Sequence, residues 1–237
     1  AQEAVTTGTR ARLHAVRAHA LIYAGDLDAA DRSGAESDRL GREDGEFGAA
    51  VFGLTARSLA AQARGRMDDA LAHAATATRL ADQARGHARH RHPRIWLGGA
   101  QTALDRFDAA AETLRRGRRD SAALGTGWDK PLWHYYLTEL LIARGRLDEA
   151  AAEADAGVAT AERLTACQLA VPLLGVLARI SLLRGDVAAA AAQLGRMREL
   201  AATGITAAAE DVLWPEALYL RATSAGDAAY GMLDGLY

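Results

Sequence analysis

The sequence predicts an all-α protein, a right-handed α-solenoid of antiparallel helix pairs, from two observations. First, 57 of the 237 residues are Ala and only 5% are aromatic, a composition that favours helix over strand. Second, a six-residue string recurs every 40 residues, which is typical of repeat proteins. Because one helix pair cannot bury its apolar face alone, successive repeats are expected to stack on each other.

The recurring string marks a turn between two helices. Its first position is Gly in five of six copies, its third is apolar, and its sixth is Ala in five. Five copies follow at a constant spacing of 40 and the last arrives one residue late: 25–30, 65–70, 105–110, 145–150, 185–190 and 226–231. We therefore predict a single repeat domain over residues 1–237 with about five and a half to six 40-residue repeats.

Each position of the string has a physical role. Gly adopts the left-handed conformation that ends a helix, and the small Ala allows two helices to approach closely. An Asp at the fourth position is expected to cap the next helix by accepting its free amide hydrogens. Those residues are Asp28, Asp68, Asp108 and Asp148. Each repeat is thus predicted as helix A, a tight turn, helix B and a looser link.

The elements follow from this phasing. Helix A is predicted near 10–24, 49–64, 92–104, 130–144, 169–184 and 211–225. Helix B is predicted near 28–41, 68–84, 108–123, 148–163 and 188–202. The four prolines are expected in the first turn of an A helix, none of them mid-helix. The chain lacks an initiator Met and stops inside the sixth repeat, so we expect it to be a fragment of a larger protein.

Several function classes are excluded by residue content. Cys167 is the only cysteine, so no intrachain disulfide or cysteine zinc site forms, and the single Lys130 stands in no phosphate-binding loop. No catalytic constellation is found, and we expect no enzyme activity, no cofactor and no metal. The His-rich stretch 85–94 is not expected to bind a metal, since its arginines oppose a cation. It is interpreted as a solvated outer face, the alternative being a basic patch for an acidic partner. A formal net charge of -2 argues against direct nucleic-acid binding, and no segment is apolar enough for a membrane.

The turn string resembles the tetratricopeptide repeat. It reads Gly, polar, apolar, Asp, any residue, Ala, with a small residue seven positions before the Gly. Those small residues are Ala18, Ser58, Gly98, Thr138 and Ala178. The resemblance implies a superhelix (TPR-like) whose A helices line a concave groove. The period of 40 departs from the 34 residues of that family.

The longer period and the high Ala and Arg content resemble the repeat region of large bacterial transcriptional activators of the MalT/LuxR type. That resemblance implies a cytoplasmic sensor region, to which an inducer or a regulatory protein binds. The ATPase and DNA-binding domains of the parent chain would then lie outside these residues.

One stripe of each A helix faces the groove in the tetratricopeptide architecture. It contains few polar or aromatic side chains among small and apolar ones, as in many ligand sites. The ligand-binding candidates from this stripe and the adjoining aromatic cluster are His19, Gln62, His92, Thr102, Trp133, Tyr135, Glu139 and Arg179. An Ala-rich helix that merely packs would show the same stripe.

Two interpretations stay open within this set. Glu139 and Arg179 share a column in successive A helices and are expected to pair, as a ligand-recognition group or as a structural ion pair. Trp133 and Tyr135 belong to the densest aromatic cluster, 128–136, and either stack on a ligand or fill gaps between repeats. Gap filling is the role assigned to Trp96, Tyr136 and Trp214.

The leading hypothesis is a sensor or interaction domain whose groove binds a small effector, a peptide or a protein partner. The alternative is a structural adaptor that binds another protein through its outer face or its ends, without a small-molecule ligand. The incomplete sixth repeat leaves an apolar end, so a homodimer is also expected.

Overall fold

The computed structural model describes residues 6–84, 86–203, 209–223 and 226–234. Over these residues the chain forms twelve α-helices, one short 3-10 helix and no strand. It divides into two compact units, Ala1–Thr126 and Gly127–Tyr237. The helices of the first unit are α1 Thr7–Tyr23, α2 Leu27–Glu43, α3 Phe47–Ala63, α4 Met67–Gln83, the 3-10 helix Gly86–Arg91, α5 Arg94–Ala103 and α6 Phe107–Leu124. Those of the second are α7 Lys130–Ala143, α8 Leu147–Arg163, α9 Cys167–Leu183, α10 Val187–Ala201, α11 Ala209–Ala222 and α12 Gly226–Asp234.

The helices follow the predicted alternation of A and B helices, with odd-numbered helices as A. Within each unit, consecutive helices pack against each other, and α1 also packs on α3, α7 on α9, and α9 on α11. The predicted A helix at 211–225 ends at Ala222 in the structure, and residues 224 and 225 lie outside the described ranges. None of the described helices is both long and apolar enough to cross a membrane.

The period of 40 comes from a module of 20 residues. A typical helix has 17 residues and is followed by a three-residue link, and two such modules make one repeat. The middle residue of the link has a positive φ in every predicted turn from 25 to 185, including the turn where Asp105 replaces Gly. The predicted left-handed turn is therefore confirmed in these five copies, whereas Gly226 of the sixth copy is the first residue of α12. The predicted looser link is wrong after α2 and α8, where Gly45 and Thr165 form the same tight turn.

The tight turns at residues 25, 65, 105, 145, 165 and 185 are each closed by two backbone hydrogen bonds. After α1, the Gly25 N–H donates to the Ile22 carbonyl and the Asp26 N–H donates to the Leu21 carbonyl, both at 3.0 Å. This is the Schellman pattern, which satisfies carbonyls at the end of a helix. Thr165 and Ala166 make the same two bonds after α8, so the motif forms without Gly at that position.

The capping prediction is wrong in position. The B helices α2, α4, α6, α8 and α10 begin at the apolar third residue of the string, so Asp28 and Asp148 are the second residues of their helices. The N-caps that bond are Asp26, which accepts from the Ala29 N–H at 3.0 Å, and Asp186, which accepts from the Ala189 N–H at 2.9 Å. The arginines at the N-caps of α4, α6 and α8 make no side-chain cap bond, and Asp68 and Asp108 likewise lie within their helices.

The fourth-position aspartates of α2 and α8 instead join neighbouring repeats. Asp28 pairs with Arg64, and Asp148 accepts from Arg184 Nη2 at 2.6 Å. In both pairs the Arg follows the next A helix and stands 36 residues later. A negative charge in the first helical turn is also favourable toward the helix dipole.

The proline prediction holds for two residues and is wrong for two. Pro93 is the N-cap of α5 and Pro131 lies in the first turn of α7. Pro172 and Pro215 lie inside α9 and α11, because those helices begin two residues earlier than predicted. The ring of Pro215 packs against Gly175, where a side chain would leave no room for it: a Cβ atom at Gly175 would lie only 2.7 Å from Pro215 Cγ.

The core is built from the Ala column and a few large side chains. The Ala at the sixth string position is 0% exposed in all five copies, from Ala30 to Ala190. In the first unit, Val51 and Leu54 pack with alanines of α4. In the second, Leu173 and Leu174 pack with residues of α8 and α10. The five alanines are therefore buried, as their predicted role at the helix contacts requires.

Candidate functional site

Three successive A helices of the second unit enclose a pocket. Helices α7, α9 and α11 contribute its walls, and its volume is about 150 Å³. It is lined by Tyr135, Glu139, Pro172, Gly175, Val176, Arg179, Asp211, Trp214 and Pro215. The structure therefore brings together three of the predicted candidates, Tyr135, Glu139 and Arg179.

The expected pair between Glu139 and Arg179 is present. Arg179 Nη2 donates to Glu139 Oε1 at 2.8 Å and to Oε2 at 2.7 Å, and each side chain is about one quarter exposed. The Nε–H of Arg179 is buried and has no hydrogen-bond acceptor in the protein. Leaving a buried donor unsatisfied costs about 1–3 kcal/mol, so an acceptor supplied by a ligand would be stabilised there.

Tyr135 is partly buried beside this pair. Its ring makes an edge-to-face contact with Tyr136, with centroids 5.2 Å apart. Burial raises the pKa of the Tyr135 hydroxyl well above its usual value, and the negative charges of Glu139 and Asp211 raise it further, while Arg179 opposes them. Tyr135 therefore stays protonated near neutral pH and presents an uncharged hydroxyl.

Asp211 and Trp214 line the pocket and were missed by the sequence analysis. Trp214, assigned there to gap filling, is 48% exposed. Tyr135 stands ten residues before its turn at Gly145, and the same count back from the late turn at Gly226 selects Glu216 in α11. Glu216 is buried and accepts from Arg198 of α10 at 2.6 and 2.5 Å, so it faces helix B. A spacing of 40 from Gly175 selects Pro215 instead, and Asp211 lies one turn before Pro215.

Trp133 is a core residue in the structure. Its side chain is 1% exposed, and its indole N–H donates to Asp129 Oδ2 at 2.5 Å. It does not line the pocket. Of the two interpretations left open for Trp133, the structure supports gap filling, and we leave it out of the candidate site.

His19 is the most constrained candidate of the first unit. Its ring stacks on Phe52 with centroids 3.6 Å apart, and the Arg91 guanidinium lies 4.7 Å from the centre of the Phe52 ring. His19 Nδ1 donates to the Ala15 carbonyl at 3.1 Å. Burial lowers the pKa of His19 to about 4, the Ala15 bond opposes this, and the Arg91 charge lowers it further. The imidazole is therefore neutral near pH 7.

His92 and Thr102, two further candidates of the first unit, make hydrogen bonds within the protein. His92 is buried, has φ 48° and lies outside α5, so the predicted helix start at 92 is wrong. Its Nε2 is 2.8 Å from Thr126 Oγ1. Thr102 Oγ1 donates to the Gly98 carbonyl of its own helix at 2.9 Å, and Gln62 is partly buried on α3. None of these four lines the pocket of the second unit.

The His-rich stretch contains the 3-10 helix, and Arg85 at its start lies outside the described residues. The rings of His87 and His90 are tilted, with centroids 6.0 Å apart. Over the residues that the structure describes, no group of three or more His, Cys, Asp or Glu side chains is placed to hold a metal ion.

Comparisons with known proteins give structural neighbours only. No protein-family model matches the chain, and no curated protein matches its sequence. BtubC (BKLC) from P. vanneervenii has a TM-score of 0.62 at 18% identity, covering 90% of this chain and 88% of that one. A Rap protein in complex with Competence and Sporulation Factor has a TM-score of 0.70 at 14% identity, covering 99% and 76%.

A third neighbour is a putative kinesin light chain of P. anserina with nearly identical TPR-like repeats. Its TM-score is 0.56 at 16% identity, covering 85% of this chain and 99% of that one. At these identities the likeness concerns the fold. The chain is similar to TPR-like helical repeat proteins, and the predicted all-α solenoid is confirmed.

Proposed function

We propose that this chain is a peptide- or protein-binding repeat module and that the pocket of the second unit receives part of the bound chain. One observation carries the proposal. Three A helices bring a buried N–H without an acceptor, two carboxylates and a half-exposed indole into one cavity. The Rap protein with the same fold was solved in complex with Competence and Sporulation Factor, which supports a binding role.

The size of the pocket favours a peptide over a whole small effector. Its volume is about 150 Å³. A cavity of roughly 150 Å³ takes a group the size of benzene, whereas pockets for drug-sized ligands measure roughly 300–1,000 Å³. One side chain or one terminus of a peptide fits, and the rest of the peptide would lie along the A helices.

A bead-bound library of random pentapeptides, linked through their C-termini, tests the proposal. Fluorescently labelled wild-type protein is expected to be retained by a subset of beads, and Trp214→Ala to lose most of that retention. Trp128→Ala is the matched control, since Trp128 is also 48% exposed in the same unit but does not line the pocket. Equal retention of all three proteins would reject the pocket as the binding site.

We also propose, from the sequence resemblance alone, that this module is the cytoplasmic sensor of a larger bacterial regulator. The parent open reading frame would then encode a phosphate-binding loop before these residues and a helix-turn-helix after them. A parent chain that lacks both would reject this assignment. Light scattering of the purified chain tests the homodimer, and a monomeric mass at micromolar concentration would reject it.

A further inference from the structure

Resting on the proposed peptide-binding function, we infer that the pocket takes an uncharged apolar side chain of the peptide, about the size of Leu or Phe. The alternative occupants are a charged side chain and a charged terminus. The contacts of the lining residues, their burial and the volume of the pocket discriminate between a neutral and a charged occupant.

The charged groups of the lining already have partners within the protein. Arg179 Nη2 donates to both carboxylate oxygens of Glu139, at 2.8 and 2.7 Å. Asp211 also has an interaction partner in the protein. A charged group of the ligand would have to leave water and then compete with these existing partners. Because the transfer of an unpaired charge out of water is costly, the pocket disfavours a charged occupant of either sign.

The burial of Tyr135 shows that this wall of the pocket penalises charge. Burial is the main cause that raises the pKa of the Tyr135 hydroxyl well above its usual value, the carboxylates of Glu139 and Asp211 raise it further, and Arg179 opposes them. Burial acts against a charge of either sign, because it removes water from the charged group. An ammonium or a carboxylate placed beside Tyr135 would meet the same kind of penalty, whereas a hydrocarbon group would not.

The rest of the lining offers apolar surface. Pro172 and Val176 lie one turn apart on α9, and the ring of Pro215 packs against Gly175, which has no side chain. The Trp214 indole also lines the pocket and is 48% exposed, so much of its apolar surface is in contact with water. An apolar side chain of the ligand would remove this surface from water, which is favourable without any charge on the ligand.

The volume of the pocket limits the size of that side chain. At about 150 Å³, it matches a cavity that holds benzene. A Leu side chain or a Phe ring fills such a space, a Gly residue leaves it unfilled, and the larger indole of a Trp exceeds it. We therefore expect Leu or Phe at the peptide position that enters the pocket.

N-acetylated amino-acid amides test this inference, because they share one backbone and differ only in the side chain. The leucine and phenylalanine derivatives carry an apolar side chain, the glycine derivative carries none, and the aspartate and lysine derivatives carry a charge. Binding is followed through the Trp214 indole N–H signal in NMR spectra, assigned by its loss in Trp214→Phe. We expect the leucine and phenylalanine derivatives to bind at least about tenfold more tightly than the other three. Equal or tighter binding of any of those three overturns the inference.

A charge variant tests whether the ion pair excludes charged occupants. Glu139→Gln leaves Arg179 without its carboxylate, so the aspartate derivative should bind about tenfold more tightly than to wild type, and the leucine derivative should change by less than about twofold. Glu162→Gln is the matched control, because Glu162 pairs with Arg196 in the same unit and does not line the pocket. A folded Glu139→Gln variant without any gain for the aspartate derivative overturns the inference. If circular dichroism shows that this variant is unfolded, the comparison of the five amides on wild type decides.

The pentapeptide library separates this inference from the proposed function. Peptides on the beads that retain wild-type protein are sequenced and compared with those on beads that retain Trp214→Ala. Enrichment of Leu or Phe in the wild-type set is the expected result. Retention without that enrichment overturns the apolar preference and leaves the binding function standing. Binding of the leucine derivative without retention of any peptide rejects the peptide-binding function and leaves the side-chain preference standing.

Discussion

One position of the A helices, which holds His19 in the first unit and Glu139 and Arg179 in the second, makes different contacts in the two units. In the first, His19 stacks on Phe52, and Arg91 covers the Phe52 ring, so aromatic surface and charge are used within the protein. In the second, Glu139 and Arg179 occupy that position and pair with each other, but a cavity remains beside them. One repeat scaffold therefore supports a stacked aromatic cluster in one unit and a charged pocket in the other.

Side-chain volume explains the difference. Phe52 stands at the column position that Pro172 occupies in α9, and Thr55 at the position of Gly175. The Thr55 hydroxyl donates to the Phe52 carbonyl at 2.8 Å and lies 3.5 Å from His19 Nε2. Gly175 has no side chain to fill the equivalent space, which Pro215 and the cavity share. The repeat pattern therefore places side chains at equivalent positions of successive A helices, but it does not determine whether the space beside them is filled.

The largest expected effect on stability distinguishes a core tryptophan of the second unit, Trp133, from the pocket tryptophan, Trp214. Trp133→Ala should lower the free energy of unfolding by about 3–5 kcal/mol, because a large buried ring is removed and Asp129 loses its indole donor. Trp214→Ala should change it by only about 0.5 kcal/mol, because the ring is half exposed. Urea unfolding followed by circular dichroism measures both. Similar losses for the two variants would show that Trp214 belongs to the core.

The next effect concerns the His19–Phe52 stack of the first unit and its dependence on pH. The pKa of His19 is lowered from 6.5 to about 4 in the folded protein, so the unfolded chain takes up the proton first. Stability should therefore fall as pH drops from about 6.5 to about 4, by on the order of 2–3 kcal/mol from His19.

His19→Phe keeps an aromatic ring against Phe52 but cannot be protonated, so the difference between wild type and variant isolates His19. His73, whose pKa is also lowered mainly by burial, contributes with the same sign to both proteins. Parallel stability curves for the two proteins between about pH 4 and 7 would contradict the buried neutral imidazole.

A smaller effect is expected from the ion pair of the pocket. Glu139→Gln should cost about 1–2 kcal/mol, because Arg179 loses its charged acceptor while its Nε–H is already unsatisfied. The loss stays below the roughly 3–5 kcal/mol of a fully buried pair, since each side chain is one quarter exposed. Adding Arg179→Gln should recover part of the loss. Additive losses in this double-mutant cycle would show that the two residues are not coupled.

The smallest effect tests whether the scaffold is the same in both units. Asp26→Ala and Asp186→Ala each remove an N-cap bond of similar length, 3.0 and 2.9 Å, and should each cost about 1 kcal/mol. Asp148→Ala, in the first turn of its helix and almost fully accessible, should cost less than either cap variant in the same unfolding experiment. If the two cap variants lose unequal amounts of unfolding free energy, the two units differ in their helical scaffold as well as in their groove.

The sequence predicted the repeat and its turn more accurately than the ends of its elements. Left-handed turns at Gly25 and Gly145 follow from local backbone preferences, so they could be found by inspection. The capping role of Asp28 could not, because an Asp is equally suited to the N-cap and to the first helical turn. Which of the two it occupies depends on where the helix begins, a difference of two residues.

The sequence predicted part of the candidate site, namely Tyr135, Glu139 and Arg179. Glu139 and Arg179 were found because a period of 40 places them in register, and Tyr135 because it lies on the same stripe within an aromatic cluster. The role of Trp133 was left open and Trp214 was assigned to gap filling, whereas the structure buries Trp133 and leaves Trp214 half exposed. An aromatic ring packs inward or outward according to the space that neighbouring helices leave.

By itself, then, the sequence determined an all-helical repeat with a 40-residue period, left-handed turns and an Ala column at the helix contacts. These features depend on residues close in the chain or equally spaced along it. The tertiary structure decided where the groove stays open, because an empty volume exists only between helices whose side chains fail to fill it. It also decided that Asp211 and Trp214 share a cavity with Glu139 and Arg179, since three A helices must pack before residues so far apart in the chain line one pocket.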